Sequence, residues 1–110
     1  MSIDANFNKF TNTINIQVFG QFDFSSYRFF RDVVETIPSS IDLIVVDLAA
    51  THYIDSSGLG MLLVLLHRAR LYHKPVRIIN AQAQVSSALK SANFDRLFRL
   101  HEIKTTAANS

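Results

Sequence analysis

A chain of 110 residues, 48% of them apolar, holds enough hydrophobic material for one folded domain and hardly enough for two. It has no cysteine, which excludes disulfides and thiolate metal sites and fits a reducing compartment. The net charge of +2 is unevenly placed: residues 1–66 carry three Lys/Arg against seven Asp/Glu, a balance of −4, and residues 67–110 carry eight against two, a balance of +6.

The basic residues of the second half are dispersed over several elements, with no aromatic ladder between them. They read as a solvated face, or one that meets an acidic protein, rather than as a nucleic-acid surface. The opening MSIDANFNKF is polar and carries an acid early, unlike a signal peptide. The longest apolar run, Leu59 to Leu66 with Gly60 inside it, is shorter than the about 20 residues that cross a bilayer. These features predict a soluble cytoplasmic protein with no membrane or nucleic-acid partner.

In chain order, Phe7 to Phe10 is a candidate short strand, turned at Thr11-Asn12 into Thr13 to Phe19. There Ile14, Ile16 and Val18 alternate with Asn15 and Gln17, the pattern of a half-buried strand. Gly20 ends it. Phe22 to Ser26 offers a cap for a helix over Tyr27 to Ile37, with Phe29, Phe30, Val33, Val34 and Ile37 at three- and four-residue spacing. Pro38 stops that helix. Ile41 to Leu48 is almost continuously apolar and β-branched, as a strand buried on both faces would be. Ala49 to His52 reads as a connection. A helix is expected over Leu59 to His73, a strand over Val76 to Ile79, a helix over Gln82 to Ala92, and a last strand within Leu97 to Ile103. Thr105 to Ser110 reads as a flexible tail after one domain, residues 1–104. Strands and helices alternate after residue 37, which predicts an α/β fold whose sheet has parallel members. In such sheets ligand-prone loops leave the C-terminal ends of strands.

One such loop holds YIDSSGLG, Tyr53 to Gly60. Asp55, Ser56 and Ser57 are all favoured N-cap residues, and capping accounts for one of them but not for three in a row followed by two glycines. A helix start also presents free N–H groups and partial positive charge, so a serine there could carry a phosphoryl group without melting its own helix. On a helical wheel Leu59, Leu62, Leu63, Leu66 and Ala69 face the core. Met61, Val64, Arg68 and Leu71 fall on the other flank, where the apolar members form either a docking patch or a face covered by another element. Other chemistry is not supported. His52, Asp55 and Ser56 lie in one short loop, in IDSSG rather than a Gly-x-Ser-x-Gly elbow. The four histidines show no metal-ligand spacing, and Gly58-Leu59-Gly60 lacks the lysine of a phosphate-binding loop. No catalytic residue, metal or cofactor is assigned.

The stretch VVDLAATHYIDSSGLGMLLVLL resembles the signature of the STAS domain, in particular of bacterial anti-sigma factor antagonists. Asp47, Leu48 and Asp55 to Gly60 match its strand-turn-helix pattern. Gly20-Gln21-Phe22-Asp23 is similar to the family's Gly-Glu-Leu-Asp, with Gln21 for Glu and an unusually aromatic loop, and NFDRLFRL resembles a late segment. The likeness spans about residues 12–103. It implies a single STAS-like α/β domain, with a mixed four- to five-stranded sheet and helices packed mainly on one face. It also implies a switch. Ser56, or alternatively Ser57, accepts phosphate, and the unphosphorylated form binds an anti-sigma factor that is often the serine kinase itself, thereby releasing a sigma factor. A PP2C-type phosphatase resets it. The expected partner-binding residues are Asp23, Asp55, Ser57, Gly58, Met61 and Val64, with Asp23 and Asp47 either shaping the surface or capping loops. The alternative is a scaffold or transporter-accessory subunit whose serine is never modified.

Overall fold

The computed structural model describes residues 3–97 and 103–105. Strand β1 (Ile3–Asn8) runs antiparallel to β2 (Thr13–Val18), which lies parallel to β4 (Leu43–Asp47). Next come β6 (Val76–Ala81) and β7 (Ile103–Thr105), also parallel, giving the order β1-β2-β4-β6-β7. A separate two-stranded ribbon joins β3 (Gly20–Phe22) to β5 (Thr51–Ile54). The helices are α1 (Tyr27–Thr36), α2 (Ser56–Leu71), α3 (Ala83–Ser91) and the short α4 (Phe94–Leu97).

Register explains why the helices gather on one face. Ile14, Ile44 and Val76 lie in one cross-strand row, and Ile16, Val46 and Ile78 in the next. All six are buried in one cluster with Phe30 and Val34 of α1, Leu62, Leu65, Leu66 and Ala69 of α2, and Val85 and Leu89 of α3. Burying each such side chain contributes on the order of 1.5–3 kcal/mol. The alternate rows, Asn15–Val45–Arg77 and Gln17–Asp47–Ile79, form the more polar face. The expected mixed sheet with helices on one face is therefore the observed architecture.

Several boundaries differ from the sequence reading. The first strand starts at Ile3 and ends at Asn8, so Lys9 and Phe10 belong to the turn, where Asn12 takes a positive φ of 52°. The strand after Pro75 continues to Ala81. The segment read as a bare connection, Ala49 to His52, overlaps the start of β5, whose four residues are too few to show a period. Gly20 does not end the sheet structure: with a φ of 77° it redirects the chain from β2 into β3, and its N–H donates to the Ala50 carbonyl. Phe29 is exposed although its spacing suggested core. Leu97 closes α4, and residues 98–102 of the expected last strand, like residues 106–110 of the expected tail, lie outside the described residues. Thr105 belongs to β7. No described helix is long and apolar enough to cross a membrane.

Candidate functional site

The ribbon β3–β5 brings two loops together. Gln21 pairs with Tyr53 and Phe22 with Ile54, so the chain leaves β3 at Asp23 and leaves β5 at Asp55 side by side. The Asp55 N–H donates to the Phe22 carbonyl at 3.3 Å, tying one exit to the other.

Asp55 is the N-cap of α2. Its backbone is extended and its carboxylate accepts from the Gly58 N–H at 3.0 Å. The helix thus starts at Ser56, three residues before the expected Leu59. Ser56 and Ser57 stand in its first turn, next to its free N–H groups and positive end. Ser56 is exposed, and no hydrogen bond among the described residues engages its hydroxyl. Ser57 is half-buried.

The two glycines do different things. A β-carbon at Gly58 would stand 2.3 Å from the Phe22 oxygen and 2.7 Å from Ile54 Cγ1, whereas one at Gly60 would meet nothing within 4 Å. Gly58 lets the helix start approach the ribbon. Gly60 has no such steric reason.

Beside this helix start lies a groove of about 410 Å³ between α1 and α2. Ser57, Gly60, Met61, Val64 and Arg68 form one wall. Phe24, from the 3-10 turn over Phe24–Ser26, joins Tyr27, Phe30 and Arg31 on the other. Phe24 is 76% exposed and stacks on Tyr27 at 6.4 Å between ring centroids. Phe22, one strand-length inward, packs its ring 5.2 Å from Phe30 and anchors that loop in the core. On α2 it is Ser57, not Ser56, that falls in line with the groove wall, and Ser56 stands one residue before it at the exposed helix start.

The expected site residues fall into three groups. Ser56 is exposed at the helix start, and Ser57 and Val64 line the groove. Asp23, Asp47 and Asp55 are turn-makers: Asp23 accepts from the Ser25 N–H at 3.0 Å and the Ser25 hydroxyl at 2.5 Å, and Asp47 accepts from the Ala49 N–H at 2.9 Å and Asn80 Nδ2 at 3.2 Å. Gly58 and Met61 are buried. Met61, at 6% exposure, is core and groove floor together rather than outer flank. The wheel holds for Leu62, Leu66 and Ala69 inside and for Val64, Arg68 and Leu71 outside, and fails at Met61 and Leu63. The buried arc is Gly58, Met61, Leu62, Leu65, Leu66 and Ala69, while Leu63 is exposed. In a helix so uniformly apolar the pattern alone leaves the stripe's orientation open, and the tight contact at Gly58 sets it. Phe24, Tyr27, Arg31, Gly60 and Arg68 also line the groove without being among the expected site residues; the aromatic excess around Phe24 is the signal that points to them. Among the described residues no group of three His, Asp or Glu is placed to hold a metal.

A five-stranded mixed sheet, helices on one face and a capped Asp-Ser-Ser-Gly helix start define a small α/β domain. The STAS domain model matches residues 4–109, and the chain belongs to that family. It is 37% identical over 87 residues to a STAS-domain containing protein of Pseudomonas aeruginosa, covering 79% of this chain and 86% of the relative. The fold is similar to that of the anti-sigma factor antagonist SpoIIAA in its unphosphorylated form, with a TM-score of 0.77 and 14% identity over 97% of this chain and 90% of the other. It is also similar to a sulfate transporter family protein from Wolinella succinogenes, with a TM-score of 0.79 and 12% identity over 90% and 80% of the two chains. At these identities the two structures share the fold.

Proposed function

We propose that this chain is an anti-sigma factor antagonist whose binding is switched by phosphorylation of Ser56. The observation that carries the reading is the placement of that hydroxyl: exposed, unengaged among the described residues, on a helix N-terminus, and next in sequence to Ser57, which lines an apolar groove. The unphosphorylated surface binds an anti-sigma factor that doubles as a serine kinase, and a PP2C-type phosphatase restores it. The domain is then a substrate and a binder, not an enzyme.

The physics of the switch is local. Phosphate adds a charge of about −1.5 to −2. The helix end tolerates it, so the fold is kept, but a contact shaped for a neutral hydroxyl must then desolvate an anion next to Asp55. A loss of about 2–3 kcal/mol, the scale of an uncompensated buried polar group, weakens binding roughly 30- to 150-fold.

Wild-type and Ser56→Asp baits, used in parallel pull-downs read by mass spectrometry, test the reading. A kinase-like partner should be captured by the first and lost from the second. Equal capture by both would refute the switch. The likeness to a sulfate transporter family protein supports a second reading, in which the chain is a transporter-accessory subunit and the same surface packs permanently against its partner. In that case no phosphorylated fraction exists in cell extracts.

A further inference from the structure

Strand β1 ends the sheet, and among the described residues no strand pairs with its outer edge. Natural sheets blunt such edges with proline, lysine, bulges or a covering element, because an open row of N–H and C=O groups is a template for another strand. β1 carries only one device of this kind, the single charge of Asp4. Its sequence, Ile3-Asp4-Ala5-Asn6-Phe7-Asn8, has no proline or lysine, its six-residue register with β2 is unbroken, and every residue after Ile3 is exposed.

The edge also leaves a core row unfinished. Phe7 lies opposite Ile14, which lies opposite Ile44 and then Val76, so Phe7 continues a buried row yet is 54% exposed. Phe10, in the turn that follows, is 90% exposed.

We propose that a second copy of this chain completes the edge, β1 pairing antiparallel with β1 about a two-fold axis. Symmetry restricts the register. Opposed residues share a face of the sheet and successive residues alternate, so a two-fold axis normal to the sheet must pass between a residue and its own counterpart. Placing Asn6 on the axis sets Ala5 opposite Phe7 of the second copy and Asp4 opposite Asn8. The small alanine then covers the exposed ring, the row gains two members, and no like charges oppose. Placing Ala5 there instead spends Phe7 on Ile3, which is already buried. One strand pair makes a small interface, at the low end of the range for specific contacts, so the dimer is weak and concentration-dependent. None of the groove residues between α1 and α2 belongs to β1, so self-pairing and partner docking use different residues.

Analytical ultracentrifugation of the full chain up to about 1 mM reads the equilibrium directly. The wild type should dimerise with rising concentration. Asn6→Lys and Asn6→Asp each place identical charges across the axis and should weaken association by about tenfold or more. An equimolar mixture of the two should recover it as a heterodimer. Phe7→Ser should weaken it without any charge. A wild type that stays monomeric throughout, an Asn6→Lys chain that associates as the wild type does, or a mixture no tighter than its components would overturn the proposal. Circular dichroism of each variant verifies the fold, which substitutions at these exposed positions leave intact.

Discussion

Gly58 lies so close to the backbone of Phe22 that a β-carbon there would stand 2.3 Å from the Phe22 carbonyl oxygen. That oxygen already accepts from the Asp55 N–H, so it cannot retreat without loosening the link between the two loops. Gly58→Ala should therefore destabilise the domain by about 1–3 kcal/mol or more, the cost of overpacking against rigid backbone. A urea midpoint equal to the wild type's would show that the helix start can slide away from the ribbon.

Gly60→Ala should behave in the opposite way. Open space surrounds the new methyl, and alanine in a helix interior is favoured over glycine by about 0.8–1.0 kcal/mol, so the midpoint should rise. The same methyl enters the groove between α1 and α2. Partner affinity measured by calorimetry should fall while stability rises, and unchanged affinity would place the partner elsewhere.

Ser56→Asp and Asp55→Ala separate charge from capping. An acid in the first turn interacts favourably with the helix N-terminus by about 0.3–1 kcal/mol, so Ser56→Asp should keep or slightly raise the melting midpoint. Removing the carboxylate that accepts from the Gly58 N–H should cost about 0.5–2 kcal/mol. If Ser56→Asp unfolds the chain, that serine is a structural residue.

Phe24→Ala tests the aromatic wall. The ring is mostly exposed, so stability should stay within about 0.5 kcal/mol. Binding should lose more than about 1 kcal/mol if Phe24 is an anchor of the contact. A variant that binds as tightly as the wild type would remove the 3-10 turn from the surface.

The sheet and three of its helices could be read from the chain because their periods are long enough to count: Ile14, Ile16 and Val18 alternate, and Phe30 and Val34 recur one turn apart. The ribbon could not. Gly20–Phe22 and Thr51–Ile54 are too short for a period, and each acquires meaning only through the other. The sequence puts the Asp23 loop and the Asp55 turn on one expected surface, but not the strand pairing that makes them the exits of one unit. Ser56 was legible because N-cap chemistry is local. The groove was not, because it needs α1 and α2 placed against each other, and because the phase of an almost wholly apolar helix is decided by the fit at Gly58. Met61 went to the wrong side for that reason, and Leu63 with it.

The pairing of Gly20 with Thr51 ties a stretch near the start of the chain to one near its middle. A chain that has lost its opening segment through Phe22 therefore leaves Ser56 without the ribbon that frames its turn. Under the proposed switch, a kinase that reads the shape of this turn, rather than the letters around it, would inspect quality as well as identity: it would mark intact molecules and pass over such fragments.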